Sequence, residues 1–428
     1  MKLITMNQLV DNHWEAPGSR QALLTARAAR IVIIVGEHSG DALGAKLMTA
    51  LEQQLPGGVT FSGVGGHQME SCGFRSEFPL ADIAVMGPIA ILKRLPTLVR
   101  RVYRSVDMAL AADPDVVIII DAPEFTHPIA KRIRKRQADI PIIDYVSPTV
   151  WAWRPGRAKK MAPYVDHVLA LLPFEPDAHL RLRGPACTYV GHPLTERLDW
   201  LKDLDPTPHL AALGLDPARP VIVVLPGSRR SEVERLMGVF GPALALFEAR
   251  ASKMGVHHQY VLPAMPHVRS LIEAQIAAWP AGAPRPLIVA GEDDAQKFAI
   301  FKAARAALAA SGTVTLELAL ARTPMVVTYR VDAIVSALRQ LIKIDTSVLP
   351  NLIAGERAIP EFHQERCTPA NLADALADAS FDTPHRAAQL AQLDRVPAFL
   401  SLPDGIAPSD AAAGAVLPYV AFRLQARP

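Results

Sequence analysis

The sequence predicts an α/β protein made of two similar halves, each a parallel sheet wrapped by helices, with the sheets facing a central cleft. Three observations carry that prediction. Two continuous apolar runs, Arg30 to Val35 and Val221 to Leu225, each end in a glycine-bearing loop followed by a helix-forming stretch. Such runs suit parallel strands buried on both faces, where no polar alternation is needed. Between the halves, the stretch from Asp199 to Pro220 carries Pro206, Pro208, Pro217 and Pro220 and reads as a linker. The chain's 428 residues suffice for two or three domains at roughly 100–200 residues each.

Residues 1–28 lack an apolar core segment and include Asp11 and Glu15, so they read as a loosely attached extension rather than a signal peptide. The first strand is followed by a helix from about Asp41 to Leu55. Asp113-Pro114-Asp115 then leads into Val116 to Ile120, a strand that stops at Asp121. Further strands are expected at Ile142 to Val146 and His167 to Leu171. After the linker the pattern restarts at Val221, with a helix from about Ser231 to Ala251. Strands are then expected near Gln259 to Leu262, Leu287 to Ala290, Ala306 to Ala310 and Met325 to Tyr329. Alternating strands and helices imply βαβ units. The expected domains are 29–200, a linker 201–220, and 221–428, with the last helices able to pack back on the first domain. Small ligands commonly bind where two such halves form a cleft.

The net charge of +3 is too small to argue for nucleic acid. Three widely spaced cysteines, Cys72, Cys187 and Cys367, make neither a disulfide framework nor a zinc pattern, which fits a reducing cytoplasm. No apolar run approaches the ~18–20 residues of a membrane-spanning helix. The stretch Leu95 to Leu110 places apolar residues at 95, 98, 99, 102, 106 and 110, with Arg100, Arg101 and Arg104 on or near the other face. That spacing suits an amphipathic helix, either resting on anionic lipid or packing on a core with a solvated basic face.

Five segments could carry chemistry. Gly36-Glu37-His38-Ser39-Gly40-Asp41 lies between strand and helix, where glycine admits a ligand and helix N–H groups meet anions; a turn capped by Ser39 or Asp41 is the other reading. Asp121 ends a buried strand, where open α/β sheets bind ligands, and can serve as general base or as a turn carboxylate before Pro123. Ser147, Trp151, Trp153 and Arg154 stand just past another strand, as a binding edge or as domain packing. Gly227, Ser228 and Arg229 offer amides, a hydroxyl and a bidentate cation to a diphosphate. Ser311, Gly312 and Thr313 open a helix containing Glu317, which can reach ribose hydroxyls or simply be solvated.

Taken in order, the motifs GEHSGDALGA (36–45), GVGGHQM (63–69), AVMG (84–87), DAPEF (121–125), YVSPTVWAWR (145–154), LPFE (172–175), VGHPL (190–194), LPGSR (225–229), SGTVTLE (311–317), PMVVTYR (324–330) and LPNLIAG (349–355) resemble the lipid-A-disaccharide synthase family. The resemblance runs from about Arg30 into the C-terminal region. It implies a GT-B glycosyltransferase of two Rossmann-like domains that moves 2,3-diacylglucosamine from UDP to 2,3-diacylglucosamine 1-phosphate. The product is a β-1,6-linked disaccharide plus UDP, formed with inversion and with no cofactor or metal implied. By position in the motifs, Asp121 matches the family's base and Arg229 its diphosphate partner, while Tyr329, Asn351 and Gln364 fall in segments on the nucleotide side. The resemblance further implies a cytoplasmic protein held peripherally on the inner face of the inner membrane through 89–110, and it leaves room for a homodimer. Other GT-B enzymes using UDP-N-acetylglucosamine should lack YVSPTVWAWR and LPNLIAG; a non-catalytic binding protein on the same scaffold is the remaining alternative. The chain departs from the family pattern at His38, Ala90 and Glu124.

Overall fold

The computed structural model describes residues 24–83 apart from 26, then 88–331 and 346–426, without the side chains of 88–93. The N-terminal extension therefore lies almost wholly outside the described residues, as do AVMG (84–87) and the Ala90 side chain. The chain forms two compact units, one running up to Thr195 and resuming at Ser401, the other spanning Glu196–Leu400.

The first unit contains β1 (Ala29–Val35), α1 (His38–Gln54), β2 (Val59–Val64), α2 (His67–Ser71), α3 (Pro88–Ala111), β3 (Val116–Ile120), α4 (Pro123–Arg136), β4 (Ile142–Tyr145), α5 (Gly156–Met161), β5 (His167–Ala170), α6 (Glu175–Arg181) and β6 (Ala186–Tyr189). The strands form one parallel sheet in the order β2-β1-β3-β4-β5-β6. β3 is apolar and buried at all five positions, as a central parallel strand covered on both faces requires. α1 begins three residues earlier than expected, because Asp41 already donates its N–H to the Glu37 carbonyl. α3 also begins earlier than the amphipathic spacing suggests, and Pro96 lies inside it. Strands β2 and β6 were not expected from the sequence.

Far along the chain, helix Pro408–Ala426 supplies Ala412, Ala413, Val416, Tyr419 and Val420 to the same core as β1 and β3. The Tyr419 hydroxyl meets His167 Nδ1 at 2.8 Å, and Arg423 pairs with Asp139.

The second unit contains α7 (Leu198–Asp203), α8 (Thr207–Ala212), β7 (Val221–Leu225), α9 (Arg230–Lys253), β8 (Gln259–Ala264), α10 (Pro266–Ala277), β9 (Leu287–Ala290), α11 (Asp294–Ala303), β10 (Ala304–Ala310), α12 (Val314–Leu320), β11 (Met325–Tyr329), α13 (Leu349–Ala354), β12 (Glu361–His363), α14 (Pro369–Ser380), α15 (Pro384–Leu393) and α16 (Val396–Leu400). The helix at Pro408–Ala426 is accordingly α17. The sheet order β12-β11-β10-β7-β8-β9 is, counted from β7, the 3-2-1-4-5-6 arrangement of the dinucleotide-binding fold. The proline-rich stretch is folded onto this unit: Lys302 Nζ donates to the carbonyls of Leu201, Lys202 and Leu204.

In both sheets the chain leaves the first strand toward one edge and later returns to its other side. The switch points fall between β1 and β3 and between β7 and β10, where the strand ends leave a crevice suited to ligands.

Candidate functional site

At the first switch point, register pairs Val35 with Ile120, so the loops after β1 and β3 lie side by side. Asp121 and Ala122 both adopt left-handed backbone, with φ of 56° and 44°. Two such residues in a row are strained for non-glycine side chains. They turn the chain sharply at the strand end and fix the Asp121 carboxylate. Its Oδ1 accepts the Ala122 N–H at 2.7 Å, and its Oδ2 accepts the Ser39 hydroxyl at 3.1 Å. Thr126 Oγ1 locks the turn by donating to the Asp121 carbonyl at 2.8 Å. A Cβ on Gly36 would come within 2.2 Å of Ala122 Cβ, so this position must be glycine for the two loops to meet. Gly40 serves the packing of α1: a Cβ there would lie 2.9 Å from Val35 Cγ1.

Asp41 has a different place from the one a ligand-binding residue would occupy. It is buried, and its carboxylate accepts the backbone N–H groups of Gly66, Gln68 and Met69 at 2.7, 2.9 and 3.2 Å. It thereby holds the start of α2, satisfying N–H groups that a helix leaves unpaired.

Beside Asp121, β4 is followed by Val146 with φ of 85°, an unusual backbone for a β-branched residue, which leads into the tryptophan segment. Ser147 is buried, its hydroxyl 2.8 Å from His179 Nε2 and 3.0 Å from the Pro148 carbonyl. Trp151 donates its indole N–H to Glu175 at 3.1 Å and stands edge-on to Phe174. Glu175 also accepts the N–H groups of Leu171 and Leu172, yet burial pushes its carboxyl up to about 7. Burial likewise lowers His179 to about 4. Sequence reasoning placed Glu175 only in a landmark and missed this support beneath Trp151. Trp153 is half-buried under the Arg154 guanidinium, 5.6 Å from its ring centre. Below the strand ends, buried Asp144 contacts His127 Nε2 at 3.0 Å, and His127 Nδ1 reaches the Tyr164 hydroxyl at 3.1 Å. Burial holds Asp144 above the ordinary carboxyl range, with His127 opposing.

The second switch point carries a cavity of about 350 Å³ lined by Gly227, Ser228, Arg229, Ser311, Gly312, Thr313 and Glu317, joined by Glu232, Lys297 and Phe301. Gly227 has φ of 108°, which glycine alone adopts without strain. Arg229, two-thirds exposed, is steered by Glu232, which accepts both its backbone N–H and its Nη1 at 3.3 Å. Register pairs Leu225 with Ala309, so the N-termini of α9 and α12 are neighbours and can turn N–H groups on one anion. At the far end, Lys297 Nζ bonds Glu317 Oε1 at 3.1 Å and Asp294 Oδ1 at 3.0 Å. Lys297 had no sequence signal, since its partner Glu317 lies 20 residues on. Glu232 had one: an acid three residues after Arg229, the spacing of a capping box.

Three predicted residues stand outside that cavity lining. Asn351 is buried, with its amide spent on the Ile359 backbone and on Gln392. Gln364 bonds both the N–H and the carbonyl of Val331. Tyr329 is exposed at the end of β11. Ser311, by contrast, lines the cavity and donates to the Ser347 carbonyl at 2.8 Å. Ser347 in turn bonds Glu361, which burial would raise but which His363, Thr346 and the Ser347 N–H bring down to about 2.

The family model for lipid-A-disaccharide synthetase matches residues 31–398. The lipid-A-disaccharide synthase of Rhodopseudomonas palustris strain HaA2 is 49% identical over 378 residues, covering 88% of this chain and 93% of that protein. That of Nitrobacter hamburgensis is 48% identical over 389 residues, covering 91% and 95%. Among solved structures, UDP-GlcNAc 2-epimerase from Neisseria meningitidis, bound to UDP-GlcNAc, superposes with a TM-score of 0.59 at 11% identity, covering 90% of this chain and 98% of that one. The α,α-trehalose 6-phosphate synthase of Burkholderia multivorans gives 0.59 at 14% identity, covering 94% and 98%. These two likenesses are of fold, and the fold is GT-B.

Proposed function

The chain belongs to the lipid-A-disaccharide synthetase family of glycosyltransferases, and from that premise we propose how its residues divide the reaction. The donor is UDP-2,3-diacylglucosamine and the acceptor is 2,3-diacylglucosamine 1-phosphate. Asp121 removes the proton from the acceptor's 6-hydroxyl as that oxygen attacks C1 of the donor. The C1–O bond to UDP breaks with its electron pair passing to the β-phosphate, and the β-1,6-linked disaccharide forms with inversion. Arg229 and the N–H groups at the starts of α9 and α12 take up the charge that develops on the departing diphosphate. The single observation that supports this reading most is the cavity of the second unit. One end offers Ser228, Arg229 and helix N–H groups to a diphosphate, and the other offers the Glu317–Lys297 pair to ribose hydroxyls.

The acyl chains of both substrates require access to lipid. On α3, Val102 and Val106 face the core, whereas Leu95, Val99 and Tyr103 form an exposed apolar ridge at four-residue spacing, 45–48% exposed. Arg94, Arg100 and Arg104 flank it. Such a ridge can enter a headgroup layer while the arginines meet anionic phosphates. No helix among the described residues is long and apolar enough to cross a membrane. A peripheral seat on the inner face of the inner membrane fits this helix and the acylated substrates.

The deciding experiment is a turnover assay with both acylated substrates, following UDP and disaccharide together. Matched appearance of the two products supports the assignment. A folded, UDP-binding protein that yields no disaccharide refutes it.

A further inference from the structure

We propose that Arg154 and Arg157 form the subsite for the phosphate monoester of the acceptor sugar, with Glu124 as an occupant that the phosphate displaces; this rests on the acceptor assignment above. Two guanidinium groups already converge on one anionic oxygen. Glu124 Oε1 lies 2.6 Å from Arg157 Nη2 and 3.8 Å from Arg154 Nη1. The Glu124 side chain is 78% exposed, and an ion pair so open to water stabilises little. A phosphate monoester brings more charge and three acceptor oxygens to the same place, and paired guanidinium groups suit it better than a single carboxylate does.

Both arginines are set in direction before substrate arrives. Arg154 adopts left-handed backbone, φ 53°, and its guanidinium lies over the Trp153 ring, which together fix where that side chain points. Arg157 is less exposed and rises from the first turn of α5. The pair is also correctly placed for the acceptor. Glu124 follows Asp121 by three residues and lies in the first turn of α4, just past the left-handed turn at 121 and 122. Arg157 and Asp121 both act electrostatically on the same buried carboxyl, Asp144. One sugar ring separates the 6-hydroxyl of the acceptor from its 1-phosphate, so a base and a phosphate clamp must lie about one ring apart.

The test titrates the full chain with 2,3-diacylglucosamine 1-phosphate and with the same lipid lacking phosphate, for wild type, Arg154→Gln and Arg157→Gln. Arg154 is 60% exposed, so its variant should fold even if that at Arg157 does not. Wild type should favour the phosphorylated lipid, and each substitution should narrow that preference by about tenfold, the worth of a charged hydrogen bond. UDP affinity and binding to phosphatidylglycerol vesicles should not change. A wild type without preference, or an Arg154→Gln that keeps it in full, overturns the proposal. So does a loss that tracks loss of vesicle binding, since the arginines would then read a lipid headgroup. Turnover of both acylated substrates, measured alongside, separates the cases: normal turnover with no phosphate preference sinks only this subsite, whereas no turnover sinks the reading beneath it.

Discussion

The two switch points are built alike and present opposite chemistry. Each sits where a first strand, β1 or β7, lies beside the strand that returns to it, β3 or β10. Each needs a glycine just past the first strand, Gly36 or Gly227. At the first, the loop side chain is a carboxylate held by one hydroxyl and one N–H. At the second, an arginine, a lysine and two helix starts turn positive groups toward a cavity. The scaffold therefore decides where a ligand meets the chain, and a handful of loop residues decide which ligand charge it meets.

The strongest way to break this contrast is to remove its two charges in turn. Asp121→Asn should lower kcat by about 10³-fold, within the range of a lost general base, while UDP still binds. Near wild-type turnover would remove Asp121 from the chemistry. Arg229→Gln should lower turnover by roughly 10²-fold and weaken UDP binding as well, the result expected of a side chain proposed to pair with the diphosphate. If both variants left UDP affinity alike, the division of labour between the units would fail.

A smaller effect should appear in stability. Gly36→Ala brings a Cβ within 2.2 Å of Ala122 Cβ, and so should destabilise the first unit by about 2 kcal/mol. Hydrogen exchange in β1 and β3 should rise while β7 and β10 stay protected. Equal loss in both sheets would show that the two units do not respond separately.

The gentlest test lies under Trp151. Glu175 has its folded carboxyl raised from 4.5 to about 7, so it favours folding below the lower value and loses that contribution as pH rises through the higher one. Glu175→Gln removes this dependence. Its stability relative to wild type should therefore improve by roughly 1–3 kcal/mol between about pH 5 and pH 8, read from urea unfolding at each. His179, depressed to about 4, acts in the opposite sense and is present in both proteins, so it cancels from the difference. A difference that ignores pH would show that the carboxyl is not held protonated.

Much of the fold was legible because β1, β3 and β7 are unbroken apolar runs, the direct imprint of strands covered on both faces. β2 escaped because VTFSGV is only partly buried and includes Gly63, and β6 and β12 escaped because they are short edge strands with no fully buried position. Cavity-lining residues close in sequence were legible as sets, such as 227–229 and 311–313, since a strand-to-helix loop is local. Roles that depend on distant partners were not. Asp41 reads as a loop carboxylate until residues 66–69 fold onto it, and Asn351 and Gln364 lie in family segments yet spend their side chains on nearby backbone. Lys297 is one of several charges in its stretch until Glu317 comes alongside.

Helix α17 gives the first unit a schedule as well as a core. Residues up to Thr195 leave the ribosome first, but the helix that covers β1 and α1 follows only after the whole of Glu196–Leu400. At ~5–20 residues per second that interval is roughly 10–40 s. Through it, the surface that Val416, Tyr419 and Val420 will bury stays open to water, while the second unit, continuous in sequence, can finish on its own. The unit that carries Asp121 is the first to be made and the last to be completed. A nascent chain stalled after Leu400 should hold a folded second unit and an unfinished first one, the stage at which a chaperone would find most to grip.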